Sequence, residues 1–263
     1  MKNFSNIASA ITESKHYTLF TVGDSITHGG RASSDDTTYT AVLATLLASR
    51  YPERTVKRYD GIMFDTPDAE LRPLRGYAPA VTVQKGNDRT ITVVRSGVGG
   101  NTVKRLLSRS ADFIGMKIDE CCADLFLINA GINDAIREDP LKFATPAEYV
   151  TDLLSLISRI EEAHPHVAIV LMTPTYNDNG DNADSVLDPY AVAMYNVAKK
   201  TDLPVIDLHA VWMQHLQAGG ENYGQGDWLS GIPNDRCHPG DRGHEVIANT
   251  IFQHIFKEQE ELL

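Results

Sequence analysis

Four short segments concentrate the residues best suited to covalent chemistry: Gly23-Asp24-Ser25-Ile26-Thr27, Gly97-Val98-Gly99-Gly100-Asn101-Thr102, Gly131-Ile132-Asn133-Asp134 and Asp235-Arg236-Cys237-His238-Pro239. Their residue types fit acyl transfer. A serine hydroxyl becomes a nucleophile when an imidazole within hydrogen-bond reach takes its proton, and the imidazole needs a partner that fixes its tautomer. Ser25 and His238 fill the first two parts. Asp235, three residues before His238, can reach back to its Nδ1 within one turn. The charge that develops on the carbonyl oxygen needs preorganised donors, and the amides of Ser25 and Gly100 with the side-chain NH₂ of Asn133 are of the right kind. Asp24, beside the serine, is then left to fix the loop that presents it.

Each segment alone has an ordinary reading. A serine at a strand–helix junction is more often an N-cap, paired glycines make tight turns, and Asn-Asp makes caps and Asx-turns. The weight lies in their order and placement, because each follows an apolar run. Strand-like runs fall at 19–22, 56–63, 89–94, 124–130, 167–172 and 204–207; helical patterns cover 38–50, 145–163, 189–200 and 240–256. Thr145 reads as an N-cap and Pro146 as the first helical residue. Strands alternating with helices imply right-handed βαβ crossovers and a parallel sheet covered on both faces. In such a sheet the ligand crevice lies beyond the carboxyl ends of the strands, so all four segments converge on one rim. The stretch 61–97 breaks the rhythm. Ala80–Gln84 and Arg89–Val94 around Gly86-Asn87-Asp88 read as a β-hairpin inserted around residues 62–95 of one domain spanning 1–263.

Together the four segments resemble the four sequence blocks of the SGNH (GDSL-type) hydrolases, and the resemblance runs from about Tyr17 to Phe256. It implies an α/β chain folded as a flavodoxin-like three-layer α/β/α sandwich with a mainly parallel sheet. It implies Ser25 as nucleophile, His238 as base, Asp235 as the acid that orients it, and an oxyanion hole of Ser25, Gly100 and Asn133. Neither a metal nor an organic cofactor is expected. Two features depart from the pattern: Gly99 stands where a serine is common, and the stretch before Gly97 is longer than in small members. The α/β-hydrolase elbow Gly-x-Ser-x-Gly does not fit, because Thr27 occupies its second glycine position.

Composition narrows the partners. The 263 residues carry 24 Lys+Arg against 35 Asp+Glu, a formal charge of −11, without a long basic run, which disfavours nucleic acid and anionic membranes. No apolar run reaches membrane-spanning length and the first fifteen residues lack a signal-peptide core. Cys121, Cys122 and Cys237 show neither metal-type spacing nor a disulfide framework, which suits the cytoplasm; a secreted chain without its leader would look similar. His-Glu-x-x-His is absent. His164-Pro165-His166 reads as an exposed turn on the opposite rim, His244 as structural, His28 as a cleft, surface or helix-start residue, and Cys237 as filler. The acidic run 177–184 reads as a solvated loop, and Trp212, Tyr223 and Trp228 as core rather than a sugar-stacking wall. Without an apolar stripe for a long acyl chain, the expected substrate is a small-molecule or carbohydrate ester with a short acyl group, such as O-acetyl. An acyltransferase, a thioesterase or a lysophospholipase would use the same residues; a silent carbohydrate-binding module is the rival of another class.

Overall fold

The computed structural model describes residues 3–63, 74–137, 139–176, 183–220, 228–232 and 235–260. The first half of the chain forms α1 (Phe4–Glu13), β1 (His16–Gly23), α2 (Ser25–His28), a 3₁₀ turn (Asp35–Thr37), α3 (Tyr39–Arg50), β2 (Thr55–Met63), β3 (Leu74–Tyr77), β4 (Val81–Gln84) and β5 (Thr90–Gly97). The second half forms α4 (Val103–Ser108), α5 (Ala111–Ile114), β6 (Leu125–Asn129), α6 (Pro146–Ala163), β7 (Ala168–Met172), α7 (Ala183–Thr201), β8 (Val205–Ile206), α8 (Leu208–Gln217) and α9 (Asp241–Glu260).

Continuous apolar runs become the strands that are buried on both faces. β1 lies between β5 and β6, parallel to both, and every residue from Tyr17 to Gly23 is buried. The strand order is β3-β2-β5-β1-β6-β7-β8, with β4 also paired to β2. Within it, β5-β1-β6-β7-β8 reproduces the 2-1-3-4-5 order of flavodoxin-like sheets, whose switch point lies between the first and third strands. Here that point falls between β1 and β6, whose following loops carry Ser25 and Asn133. Phe20, Phe113 and Phe126 pack edge-on or tilted in the core, with neighbouring centroids 5.6 and 6.0 Å apart. Two helix groups flank the sheet, α1, α3 and α9 in one and α4, α6 and α7 in the other.

The local signals act as their chemistry dictates. Thr145 caps α6 in a full capping box with Glu148, and Pro146 occupies the first turn, where its missing N–H costs nothing. α7 starts before the expected 189 and carries Pro189 inside it. α1 is amphipathic, with Ile7, Ala8 and Ile11 buried, a 3.6-residue period in which polar residues interrupt every apolar run.

The expected hairpin is corrected. β4 and β5 do not pair with each other; β4 runs antiparallel to β2, and β5 lies parallel between β2 and β1. The reason is burial. β5 is buried from Ile91 to Gly97 and needs a neighbour on each side, whereas β4 is exposed or half-buried throughout. The intervening Gly86 and Asn87 fold onto the start of β2, donating to Thr55 Oγ1 (3.0 Å) and to the Glu53 carbonyl (2.8 Å). β2, β3 and β4 thus extend the sheet beyond β5.

Candidate active site

β1 ends at Gly23, and α2 begins at once with Ser25. The cap of that helix is Asp24, whose Oδ1 accepts from the Ile26 N–H at 2.9 Å, and so the Ser25 hydroxyl is left for another partner. α2 lies close against the end of β5. A Cβ on Gly97 would come within 2.1 Å of the His28 nitrogen, so only glycine lets the two backbones approach this far.

Ser25 Oγ lies 2.8 Å from His238 Nε2. On the other side of the ring, Nδ1 lies 2.9 and 3.1 Å from the two carboxylate oxygens of Asp235, and Asp235 Oδ1 also accepts from the His238 backbone N–H at 3.2 Å. A carboxylate at Nδ1 assigns the proton there and leaves Nε2 to accept from the serine. Ser25 is thus joined to a His238–Asp235 pair more than 200 positions away in sequence, in one hydrogen-bonded line. Asp235 is buried, and burial alone would raise its carboxyl. Hydrogen bonds from Arg31 and His238 outweigh that and hold it below the usual value.

The second loop is tied to the first, and the third to the second. The Val98 N–H donates to the Gly23 carbonyl at 3.1 Å. Gly100 takes φ +77°, favourable for glycine alone, and its carbonyl accepts from Arg105 Nη1 at 3.0 Å, which fixes the peptide plane. The buried Asn133 spends one of its amide hydrogens on the Asn101 carbonyl (2.9 Å) and keeps a second. The Asp134 carboxylate accepts from the Val103 N–H at 3.1 and 3.3 Å, at the start of α4. Burial pushes the Asp134 acid up to about 7 and Asp24 up to about 6.

The other singled-out residues resolve individually. His244 is buried in α9, accepts at Nδ1 from the Tyr39 N–H (3.3 Å), faces the Gly30 carbonyl with Nε2 (3.4 Å), and is pushed down to about 4 by burial, which makes it a neutral structural ring. Cys237 Sγ sits 3.4 Å from His238 Nδ1; burial and then the Asp235 charge push its thiol up to about 12, so it stays protonated. His28 ends α2 with a carbonyl that accepts from Arg95 Nη1 at 2.7 Å. His164 follows α6, away from the rim, and contacts the Ile114 carbonyl at 2.6 Å. Trp212 is core; Trp228 is half-buried and stacks on His215, centroids 3.8 Å apart. Tyr223 and residues 177–182 of the acidic run lie outside the described residues. Arg31, which no sequence motif marks, contacts the catalytic-type acid directly through a hydrogen bond to Asp235 Oδ2.

A model of the GDSL-like lipase/acylhydrolase family matches residues 60–246, a span that takes in Gly100, Asn133, Asp235 and His238. The chain belongs to the GDSL-like lipase/acylhydrolase family. As a member it is a carboxylic ester hydrolase. Ser25 lies before the matched span, so its place in the site rests on the 2.8 Å contact with His238. No curated protein sequence matches the chain. Among solved structures, the chain is similar to an acetylxylan esterase from Geobacillus stearothermophilus, with 26% identity and TM-score 0.62, covering 91% of this chain and 94% of that one. An alpha/beta hydrolase enzyme from the metagenome of Lake Arreo, Spain, matches at 25% identity and TM-score 0.62, with the same coverage. A two-domain esterase active on acetylated mannans shares the fold at 16% identity and TM-score 0.63, with 97% of this chain covering 54% of that one. Among the described residues, no helix is long and apolar enough to cross a membrane.

Proposed function

We propose that this GDSL-family chain, acting as a single domain over residues 1–263, is a serine esterase that removes short acyl groups, above all O-acetyl groups, from carbohydrates. The observation that carries the mechanism is the line from Ser25 Oγ through His238 to Asp235, with contacts of 2.8 and 2.9 Å. Ser25 Oγ attacks the ester carbonyl as His238 Nε2 takes its proton. The new C–O bond turns the carbonyl oxygen into an oxyanion, which the Ser25 and Gly100 amides and the second amide hydrogen of Asn133 receive. The intermediate collapses, and the sugar hydroxyl leaves with the proton from His238. Water, deprotonated by the same imidazole, then cleaves the acetyl-Ser25 ester.

The acetyl-carbohydrate reading is supported by the similarity to the acetylxylan esterase over 91% of this chain. The family chemistry leaves acyl length open. Three unpaired cysteines, Cys121, Cys122 and Cys237, support a reducing compartment such as the cytoplasm.

The test is acetate release from acetylated xylooligosaccharides, alongside a p-nitrophenyl series from acetate to octanoate. The expected result is the highest kcat/KM on acetate and loss of turnover in Ser25→Ala, with an unchanged circular dichroism spectrum. Turnover surviving in Ser25→Ala overturns the nucleophile; a maximum at octanoate overturns the substrate class. Product analysis with added sugar acceptors separates hydrolysis from acyl transfer.

A further inference from the structure

The segment that presents the nucleophile continues beyond α2 and wraps the acid–base pair. Gly29 ends α2 at φ +93°, and the Gly30 N–H returns to the Ser25 carbonyl at 2.7 Å. Gly30 also lies against His238, since a Cβ there would sit 3.0 Å from the ring Cδ2. Arg31 follows at φ +70°, a left-handed conformation unfavourable for any residue with a Cβ. That conformation directs its side chain back to the site: Arg31 Nε donates to Asp235 Oδ2, while Oδ1 of the same carboxylate is the nearer acceptor for His238 Nδ1. Two residues on, the Ser33 N–H and Oγ donate to Asp241 Oδ1 and Oδ2 at 2.8 and 2.6 Å, in the first turn of α9. Residues 29–33 therefore run alongside residues 235–241, clamping the nucleophile segment to the acid–base segment.

We propose that Arg31 is a positioning residue for the esterase reaction, fixing the Asp235 carboxylate against His238 and offsetting part of its negative charge. The proposal rests on the serine-esterase reading above. A buried carboxylate with one partner can rotate, and a carboxylate whose charge is unshared favours protonation of the imidazole beside it, the form that cannot take the serine proton. A guanidinium on the second oxygen limits both. Among the described residues, the titratable groups facing His238 apart from Arg31 are Asp235 and Cys237 from its own loop, Asp24 beside the nucleophile and His244 from α9. Cys237 and His244 are held uncharged, so Asp235, Asp24 and Arg31 set the field at the ring. A strained backbone retained beside a reacting group is the expected sign of such a role.

The experiment compares wild type, Arg31→Gly and Arg31→Lys by the pH dependence of kcat/KM on p-nitrophenyl acetate, by Tm, and by NMR titration of the His238 imidazole. Glycine takes φ +70° freely, so Arg31→Gly is expected to melt within a few degrees of wild type, or above it. Its kcat/KM should fall about tenfold. Removing the positive charge favours imidazolium, so the acidic limb and the His238 titration should both move up by about half to one pH unit. Arg31→Lys restores the position of the limb but only part of the rate, because an ammonium lacks the planar fork. A limb and titration left at the wild-type position, or moved down, overturn the proposal, as does a Tm that collapses without any shift. A wild-type chain without turnover overturns the esterase reading instead, and the NMR titration still decides the role of Arg31.

Discussion

Replacing Asp134 by asparagine tests whether burial or hydrogen bonding governs the third motif. Asp134 is fully buried behind the rim, its carboxylate accepting from the Val103 N–H at the start of α4 and its backbone carbonyl accepting from the Tyr190 hydroxyl (3.1 Å) and the Ala144 N–H (3.0 Å). Burial dominates, and the acid sits at about 7 in the fold against 3.8 when solvated. Between those values the folded chain binds a proton that the unfolded chain has lost. Stability attributable to this residue is therefore full below about pH 4 and declines as pH rises towards 7. At about 1.4 kcal/mol per pH unit, the loss by pH 8 is on the order of 4 kcal/mol. Asparagine is a permanent analogue of the neutral acid, with the same acceptor for Val103 and no charge to bury. The assay is urea unfolding of both proteins from pH 4.5 to 8, where the difference between the two cancels the titrating groups that do not interact with Asp134 and leaves its own titration as the main signal. The variant should lie within about 1 kcal/mol of wild type near pH 4.5 and exceed it by several kcal/mol at pH 8, roughly 5–15 °C in Tm for a chain of this length. A difference that stays flat across this range would refute the reasoning and show that the Val103 N–H keeps the carboxylate ionised throughout.

Two further outcomes follow from the geometry. Asn133→Ala removes a side-chain donor while leaving the backbone in place, and kcat should fall about 10²- to 10³-fold with KM nearly constant; a raised KM at constant kcat would assign Asn133 to ground-state binding instead. Arg54 is buried beneath α1, donating to the carbonyls of Ile11, Ser14 (2.9 Å) and Thr90 (2.9 Å). Arg54→Met keeps its apolar bulk but strands those acceptors, so denaturant unfolding should show a loss of about 2–4 kcal/mol with unchanged activity per folded molecule; a loss under about 0.5 kcal/mol would mean that water replaces the guanidinium.

Three parts of the rim were legible in the sequence because they depend on local chemistry: an apolar run ends, and the next few residues are polar, small or titratable; the fourth showed as the Asp235-x-x-His238 spacing. The same holds for α6, whose Thr145, Pro146 and Glu148 state the helix start without outside help. Two things were not legible. The alternation in Thr90-Ile91-Thr92-Val93-Val94 suggests a half-exposed hairpin strand, yet β5 is an interior strand with β2 and β1 on its two edges and is covered on both faces, so that Thr92 is nearly as buried as Ile91. Pairing partners are chosen by the whole sheet, and no window of ten residues contains that information. Arg31 was missed for a related reason: its role depends on a positive φ and on a carboxylate 204 positions away.

Two carboxylates stand near His238, and the fold gives them opposite tasks through their surroundings. Asp24 is the neighbour of Ser25 in sequence, but one oxygen is committed to capping α2, and burial pushes its acid up to about 6. A group so easily neutralised is a weak partner for an imidazolium. Asp235 is buried too, yet Arg31 on one oxygen and His238 on the other keep it ionised. Only an acid that stays charged when the imidazole takes up a proton can stabilise that step. In the proposed mechanism Asp24 caps the helix that presents the hydroxyl, and Asp235 supports the base that activates it. This division of labour follows from which carboxylate has a cation beside it, and that cation comes from the nucleophile's own turn.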